Sequence, residues 1–291
     1  APAPYSFTDA GSPEIIWVTV PIDKRTIATA IRDPRIAAGS FTGSGNAGRI
    51  VAAIAGSEIK PTVLELGGSD PCIVLANADL DAAADVATLS RMINAGQSCI
   101  AAKRIIVEDT VYDTFVEKLH TRMAKFKTGD PLLPDTQVGP IAREDLRQNL
   151  HRQVTETISA GAKCLLGGEL SEGPGFFYPP TLLVDVTEGM CAFKEETFGP
   201  VMVVIRAADV EEAVQLANET PYGLGAAVWT NDAKLATNIA NRLEAGQVAI
   251  NGIVKTDSRL PSGGIKGSGY GRELGPHGIR EFVNTKQIWV K

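Results

Sequence analysis

The sequence has 291 residues, of which 44% are hydrophobic and 21% charged, and its formal net charge is −6 at pH 7. This length predicts about two domains and a large buried core, and the composition is typical of a globular protein. The acidic balance and scattered basic residues exclude a nucleic-acid or anionic-membrane footprint, and no apolar run approaches the roughly 20 residues of a membrane span.

Strand-like and helix-like runs alternate along the chain, which predicts an α/β fold with largely parallel sheets. The predicted elements, in chain order, are a strand at residues 15–20, a helix at 23–31, a strand at 37–42, a helix at 49–58, strands at 61–64 and 71–75, a helix from 78–81 to about 93, a strand at 104–107, a helix at 112–126 and a terminal strand at 282–290. A glycine-rich turn at residues 43–48 makes the early part a βαβ unit that ends at Glu65.

Cysteine usage gives no sign of a metal site. Cys72, Cys99, Cys164 and Cys191 are widely and irregularly spaced, with no CxxC pair and no Cys/His signature. A large acidic chain with so few cysteines is typical of a reduced, cytoplasmic protein.

Cys99 and Glu65 lie in the two turns that most resemble catalytic segments. Cys99 ends the polar run Asn94–Cys99, and Glu65 stands 34 positions earlier, beside Gly67 and Gly68. Taken singly, a lone Cys is usually a small buried hydrophobe, and a Glu beside glycines often only ends a strand. Together they predict a thiolate nucleophile and a general base that activates water.

The three histidines offer no alternative base. His120, His151 and His277 lie in polar helix-like or loop contexts, and none forms a recognisable Cys-His motif. The pattern therefore disfavours a papain-like dyad and a His-assisted acyl transferase, and it favours Glu65 as the base.

Two further turns are ambiguous by themselves. The turn at residues 43–48 opens a helix whose first amides could hold a phosphate, but its spacing is not GxGxxG and a plain turn is equally open. The turn at residues 195–200 combines carboxylates with an aromatic residue, and it could equally be a strand entry stopped by Pro200.

Five ordered segments resolve these ambiguities: Phe41-Thr42-Gly43-Ser44, Leu64-Glu65-Leu66-Gly67-Gly68, Asn94-Ala95-Gly96-Gln97-Ser98-Cys99, Glu195-Glu196-Thr197-Phe198-Gly199-Pro200 and the glycine-rich run at residues 263–273. In this order they resemble the NAD(P)-dependent aldehyde dehydrogenases, and the resemblance covers the whole chain. The segments at residues 66–71 and 178–181 are most similar to bacterial succinate-semialdehyde dehydrogenases.

The resemblance implies a partial Rossmann-type cofactor domain, an α/β catalytic domain and a C-terminal segment with an oligomerisation strand. We expect these parts at residues 1–68, 69–268 and 269–291. The strand at Phe282–Val290 would pair with another subunit of a homo-oligomer, a dimer or a tetramer.

The resemblance also implies a mechanism. Cys99 attacks the aldehyde to form a thiohemiacetal, hydride passes to the nicotinamide of NAD or NADP, and Glu65 activates the water that hydrolyses the resulting thioester. The expected cofactor contacts are Gly43 and Ser44 near the pyrophosphate, Leu66 near the nicotinamide, Glu196 on the nicotinamide ribose and Phe198 beside it.

The chain departs from the family pattern at its beginning. It starts at Ala1 without Met or a signal peptide, and roughly the first third of a family chain has no counterpart here. That third carries an Asn that donates to the oxyanion and the residues that discriminate NAD from NADP, so the cofactor preference stays open. We expect this chain alone to bind NAD(P) weakly and to turn over little aldehyde.

The substrate residues also differ. Ile93 occupies the position, six before the nucleophile, where succinate-semialdehyde dehydrogenases have Arg, and Ser262 replaces a usual aromatic residue. A distal carboxylate then needs another cation, for which Arg259 is the candidate, with Thr256 and Ser258 as hydrogen-bond donors. A solvated loop arginine is the alternative.

Two functional alternatives remain open. The substrate could be another semialdehyde or an aliphatic aldehyde rather than succinate semialdehyde. The chain could also be a non-catalytic folded fragment that keeps the catalytic core and the oligomerisation strand.

Overall fold

The computed structural model describes residues 20–291, so the predicted strand at residues 15–20 lies outside the described part except for Val20. The α-helices in this part are α1 (Ile27–Arg32), α2 (Gly45–Ser57), α3 (Leu80–Met92), α4 (Tyr112–Met123), α5 (Glu144–Ser159), α6 (Cys191–Lys194), α7 (Val210–Asn218), α8 (Ala233–Arg242) and α9 (Gly275–Arg280). The strands are β1 (Gly39–Thr42), β2 (Thr62–Glu65), β3 (Asp70–Val74), β4 (Ala102–Glu108), β5 (Lys163–Leu166), β6 (Thr181–Val184), β7 (Val201–Ala207), β8 (Gly225–Trp229), β9 (Gln247–Ile250) and β10 (Gly269–Tyr270).

Within residues 20–291 the strands form two sheets. The smaller sheet has the order β1-β2-β10, with β1 and β2 parallel and β10 antiparallel to β2. The larger sheet has the order β5-β6-β7-β4-β3-β8-β9 and is parallel except for the β5–β6 pair. These sheets confirm the predicted α/β class with largely parallel strands, and β1-α2-β2 is the predicted βαβ unit.

The hydrophobic core lies on both faces of the larger sheet. Successive side chains of a strand point to opposite faces. Along β4, Ile105 therefore packs in one apolar cluster with Phe115 of α4, while Ile106 packs in the other with Val154 of α5. All four side chains are fully buried, so close packing on both faces holds the middle of β4, the strand that follows Cys99, in a fixed position.

Helix α3 delivers the chain to the candidate nucleophile. The side chain of Asp79 caps its first turn by accepting a hydrogen bond from the N–H of Ala82 at 3.0 Å. The inward positions Ala83, Ala84 and Ala87 are fully buried and let the helix lie close to the sheet. The helix ends at Met92, seven residues before Cys99.

The smaller sheet joins distant parts of the sequence, because β10 follows β9 by almost twenty residues yet pairs with β2 beside Glu65. Strands β3 to β9 all belong to the larger sheet. The domain division at residues 1–68, 69–268 and 269–291 stays a prediction.

The predicted terminal strand at residues 282–290 is wrong for the single chain, which has no strand there. Its side chains are largely exposed, with Ile288, Trp289 and Val290 each about 80% accessible. A strand requires hydrogen bonds to a neighbouring strand, and among residues 20–291 the only backbone hydrogen bonds of this segment are those of the Phe282 and Val283 N–H groups to the carbonyls of Ile279 and Arg280 in α9. Among residues 20–291, no helix is long and apolar enough to cross a bilayer.

Candidate active site

Cys99 lies in a tight connection between α3 and β4, residues 93–101, which we call the Cys99 loop. Three successive residues there have positive φ: Asn94 and Ala95 at 53° and Gly96 at 71°. This backbone is costly for residues other than glycine, and such strain persists only where surrounding contacts enforce it.

Side-chain amides supply part of that enforcement. The Asn94 amide donates to the carbonyl of Gln97 at 2.9 Å. The Gln97 side chain in turn donates to the Pro140 carbonyl at 3.2 Å and accepts from the N–H of Ala142 at 2.8 Å. The side chains of Asn94 and Gln97 therefore stabilise the Cys99 loop, in which Cys99 itself is partly buried.

Two buried basic residues stabilise the Cys99 loop by donating hydrogen bonds to its backbone carbonyls. The guanidinium of Arg91, fully buried, donates to the carbonyls of Gly96 and Thr197. The ammonium of Lys103, also buried, donates to the carbonyls of Ser98 at 3.0 Å and Cys99 at 2.8 Å. Neither residue was predicted as part of the site.

The surroundings of the Cys99 thiol favour its uncharged form. Burial raises its pKa, and the carboxylates of Asp70 and Glu196 add to this effect, while the nearby Lys103 ammonium opposes it. A thiol in this environment needs a proton acceptor, or the approach of another positive group, before it attacks as a thiolate.

Glu65 ends β2 with its carboxyl group pressed against the glycine-rich loop that precedes β10. It is 9% exposed, and its Oε1 has no hydrogen-bond partner among residues 20–291. Burial raises its pKa to about 7, the Glu273 carboxylate adds to the rise, and Arg272 opposes it. A carboxyl group with a pKa near neutrality, one oxygen free, is suited to general-base chemistry.

Residues directly after Glu65 connect the two halves of the site. A Cβ on Gly68 would stand 2.8 Å from the carbonyl oxygen of Cys99, so only glycine lets these backbones approach so closely. The N–H of Gly68 donates to Oε1 of Glu196 at 3.1 Å. The structure thus brings the segments of Glu65, Cys99 and Glu196 into contact although they are far apart in sequence.

The two adjacent carboxylates of the 195–200 turn have different surroundings. Glu195 faces α5, where Arg152 donates to it at 2.6 Å and Gln153 at 2.8 Å. Glu196 turns inward, its Oε1 3.5 Å from Nζ of Lys103 and its side chain 18% exposed. The neighbouring Phe198 is partly exposed, at 38%.

The predicted pyrophosphate residues lie beside the same centre. The N–H of Gly43 donates to the carbonyl of Glu65 at 3.0 Å. Ser44 is the N-cap of α2, a 13-residue helix, and its side chain accepts from the N–H of Ala47. The N–H groups of Gly45 and Asn46 donate no hydrogen bond among residues 20–291 and are available to an anion. The side chain of Leu66 fills the space where a Cβ on Gly48 would stand, so this helix packs directly on the segment after Glu65.

The predicted substrate residues lie on the loop after β9. Arg259 forms a bidentate pair with Asp257, at 2.9 and 2.7 Å, and its side chain is 84% exposed. Among residues 20–291, no hydrogen bond or ion pair joins Arg259, Thr256 or Ser258 to Cys99 or Glu65.

Sequence inspection missed Arg91 and Lys103. The available signal was a pair of adjacent basic residues, Lys103 and Arg104, at the start of an otherwise apolar strand. Arg104 takes the other face of β4, where it donates to the carbonyls of Leu216 and Ala217 at the end of α7 and has a structural role.

Comparison with known proteins shows the family to which this chain belongs. The aldehyde dehydrogenase family model matches residues 5–288. The chain therefore belongs to the aldehyde dehydrogenase family, which confirms the resemblance read from its motifs.

Two curated relatives are similar to this chain over nearly its whole length. An NADP(+) succinate-semialdehyde dehydrogenase of Mycobacterium avium (strain 104) is 50% identical over 283 residues, which are 97% of this chain and 60% of the relative. One from Mycobacterium tuberculosis (strain ATCC 25618 / H37Rv) is 50% identical over 280 residues, 96% of this chain and 61% of the relative. The chain thus spans about 60% of the length of the curated relatives it matches.

Solved structures of two dehydrogenases also superpose on this chain. The crystal structure of succinic semialdehyde dehydrogenase from Streptococcus pyogenes, in complex with NADP+, superposes with a TM-score of 0.90 at 37% identity and covers 92% of this chain and 59% of that one. Lactaldehyde dehydrogenase from Escherichia coli superposes with a TM-score of 0.88 at 35% identity, over 90% of this chain and 55% of that one.

Proposed function

We propose that this chain carries the catalytic region of an enzyme that oxidises succinate semialdehyde to succinate with NADP or NAD, using Cys99 as nucleophile and Glu65 as base. The observation that carries the proposal is the meeting of the Cys99 loop with the Glu65 segment through Gly68, with a carboxyl group whose pKa is about 7. The two mycobacterial relatives named for this substrate support the choice of aldehyde.

The chain's own residues account for the covalent steps. The Cys99 thiol first gives up its proton to solvent, its sulfur then adds to the carbonyl carbon of the aldehyde, and the carbonyl oxygen takes up the negative charge of the thiohemiacetal. When bound, the nicotinamide supplies the hydride acceptor that turns this adduct into a thioester. Glu65 then removes a proton from a water molecule, the hydroxide attacks the thioester carbon, and the Cys99 thiolate leaves with the carboxylic acid as product.

The described residues fit one part of the dinucleotide. The α2 N-terminus at Ser44 suits a pyrophosphate, the Glu196 carboxylate suits the hydroxyls of the nicotinamide ribose, and Leu66 and Phe198 suit an apolar ring face. Gly43 brings this region to the backbone of Glu65. NADP is the favoured dinucleotide because both mycobacterial relatives carry it in their names.

Two further expectations belong to the proposal. The apolar, exposed segment Phe282–Val290 would gain its missing hydrogen bonds by pairing with a second copy, as a dimer or tetramer. A reducing, cytoplasmic location suits the four free cysteines, of which Cys99 must stay a thiol to react.

An uncharged aldehyde is the second candidate substrate. Its support is the state of Arg259, whose charge is already paired with Asp257 and largely solvent-exposed. Comparison of kcat/KM for succinate semialdehyde and for an aliphatic aldehyde of the same length decides between the two.

The test of the proposed function compares two polypeptides. One is the 291-residue chain, and the other is the same chain fused behind the corresponding N-terminal segment of the Mycobacterium avium relative. We expect aldehyde-dependent NADPH formation by the fusion and little from the 291-residue chain. Cys99→Ser should abolish the fusion's activity, and a fusion whose activity survives this change would overturn the assignment of the nucleophile.

A further inference from the structure

Lys103 is an unusual residue at its position. It is the second residue of β4, and its side chain is 1% exposed. Lysine is rarely buried this completely unless it is paired, because an ammonium group loses its hydration on burial. Burial lowers the pKa of Lys103, while the nearby carboxylates of Glu196 and Asp70 oppose the change. Its position must therefore be supported by specific contacts.

Those contacts are with the Cys99 loop. Nζ donates to the Ser98 and Cys99 carbonyls at 3.0 and 2.8 Å, and the Ala101 carbonyl lies at 3.4 Å. An ammonium group has three N–H donors, so the loop uses nearly all of its capacity. The remaining partner is Glu196, whose Oε1 is 3.5 Å away.

Holding these two carbonyls orients two N–H groups. A trans peptide is planar, so its N–H points opposite to its C=O. With the Ser98 carbonyl held by Lys103, the N–H of Cys99 points away from it, and this N–H donates no hydrogen bond among residues 20–291. With the Cys99 carbonyl held likewise, the N–H of Ile100 points to the opposite side of that peptide, and its interaction with the thiol partly opposes the rise in the pKa of Cys99 that burial causes.

Within residues 20–291, four other titratable groups affect the charge of Lys103. Arg91, in α3, also links the Cys99 loop to the 195–200 turn, because it donates to the carbonyls of Gly96 and Thr197. Asp70 approaches from β3 and Glu196 from the 195–200 turn, and the thiol of Cys99 is the fourth group. Among the charged groups of residues 20–291, Lys103 is the one that contacts both peptides flanking the thiol and also the Glu196 carboxylate.

We propose that Lys103 is a positioning residue whose buried ammonium fixes the Ser98 and Cys99 peptides, keeps the Cys99 N–H free for the oxygen of the substrate, and ties the Cys99 loop to Glu196. The proposal rests on the proposed function in that it takes Cys99 as the nucleophile. It assigns to Lys103 no contact with substrate or cofactor.

The test measures how fast iodoacetamide alkylates Cys99 as a function of pH, with neither aldehyde nor dinucleotide present. We expect Lys103→Met to move the midpoint of the alkylation profile upward by about one pH unit, which is about a tenfold slower reaction at neutral pH. Lys103→Arg keeps the charge and should restore most of the profile. Cys99→Ser identifies the signal that belongs to this thiol.

Two variants keep the test decisive. Glu196→Gln removes a carboxylate that opposes ionisation, so it should move the profile downward, opposite to Lys103→Met. Lys118→Met removes a lysine of α4 that pairs with Asp81, and it should leave the profile unchanged. If Lys103→Met does not fold, the other two variants decide. Glu196→Gln should then shift the alkylation profile downward, and Lys103→Arg should keep most of the parent's profile.

An unchanged profile in Lys103→Met or in Glu196→Gln would overturn the proposal. A shift as large in Lys103→Arg as in Lys103→Met would overturn it too, because packing rather than charge would then be responsible. Failure of the proposed function is a separate result, since it appears as absent aldehyde oxidation and leaves the alkylation profile intact. In the active fusion, Lys103→Met should lower kcat much more than it changes KM for the aldehyde.

Discussion

Replacing Glu65 by Gln should affect catalysis and stability in opposite directions, because one buried carboxyl group controls both. Burial and the Glu273 carboxylate raise the pKa of Glu65 from 4.5 to about 7 in the folded protein. Between these two pH values the folded protein keeps a proton that the unfolded chain releases.

The sign of the stability effect follows from this proton. The raised pKa contributes stability that is fully present below pH 4.5 and is lost as the pH rises to about 7. Over that interval the change is at most about 3.4 kcal/mol, at about 1.4 kcal/mol for each pKa unit. We expect Glu65→Gln to be more stable than the parent by about 1–3 kcal/mol at pH 8 and nearly equal to it at pH 5.

Urea unfolding followed by tryptophan fluorescence, at pH 5 and at pH 8, measures this difference. In the active fusion, the parent's turnover should rise with pH through about 7 as Glu65 ionises, and Glu65→Gln should turn over about 10²–10⁴-fold more slowly. The matched control is Glu172→Gln, an exposed residue outside the site that should change neither quantity.

The two measurements refute different parts of the reasoning. A stability difference between Glu65→Gln and the parent that is the same at pH 5 and pH 8 would refute the raised pKa. Turnover retained by Glu65→Gln would refute its role as base.

Three other changes give further expected outcomes. Gly68→Ala places a Cβ 2.8 Å from the Cys99 carbonyl and should cost about 1–3 kcal/mol of stability together with activity, whereas Gly56→Ala in α2, where a Cβ meets nothing within 4 Å, should be neutral or slightly stabilising by urea unfolding. Arg259→Ala in the active fusion should raise KM for succinate semialdehyde far more than KM for an uncharged aldehyde, and an equal effect on both would exclude Arg259 as the carboxylate ligand. Trp289→Asp should lower the assembly size in gel filtration, and an unchanged size would show that residues 282–290 do not pair between copies.

Local pattern predicted most of the elements close to the site. The βαβ unit, the helix before Cys99, the strand after it and the helix at residues 112–123 all appear within a few residues of their predicted bounds. These elements have a regular apolar period and clear turn residues at their ends, and their inward faces are set by that period. The strand at residues 282–290 fails because its pattern describes an extended apolar segment, while a strand also needs a neighbour to supply hydrogen bonds.

The candidate site residues likewise differ in whether the sequence alone could point to them. From local pattern alone the sequence predicted Cys99 and Glu65 as catalytic candidates, because short motifs with small polar or glycine neighbours carry that signal, and the family resemblance added Glu196; these roles stay predictions. The sequence did not identify Lys103 or Arg91, whose importance depends on which way their side chains point.

Only the tertiary structure decided that direction. Lys103 and Arg104 are adjacent basic residues, yet alternation along β4 sends the first to the Cys99 loop and the second to the end of α7. The raised pKa of Glu65 is likewise a property of the assembled site, since burial and the carboxylate of Glu273, more than two hundred residues away, produce it together. Motifs determine which groups can react, and the desolvation and charge that set their reactivity arise only when distant segments pack against one another.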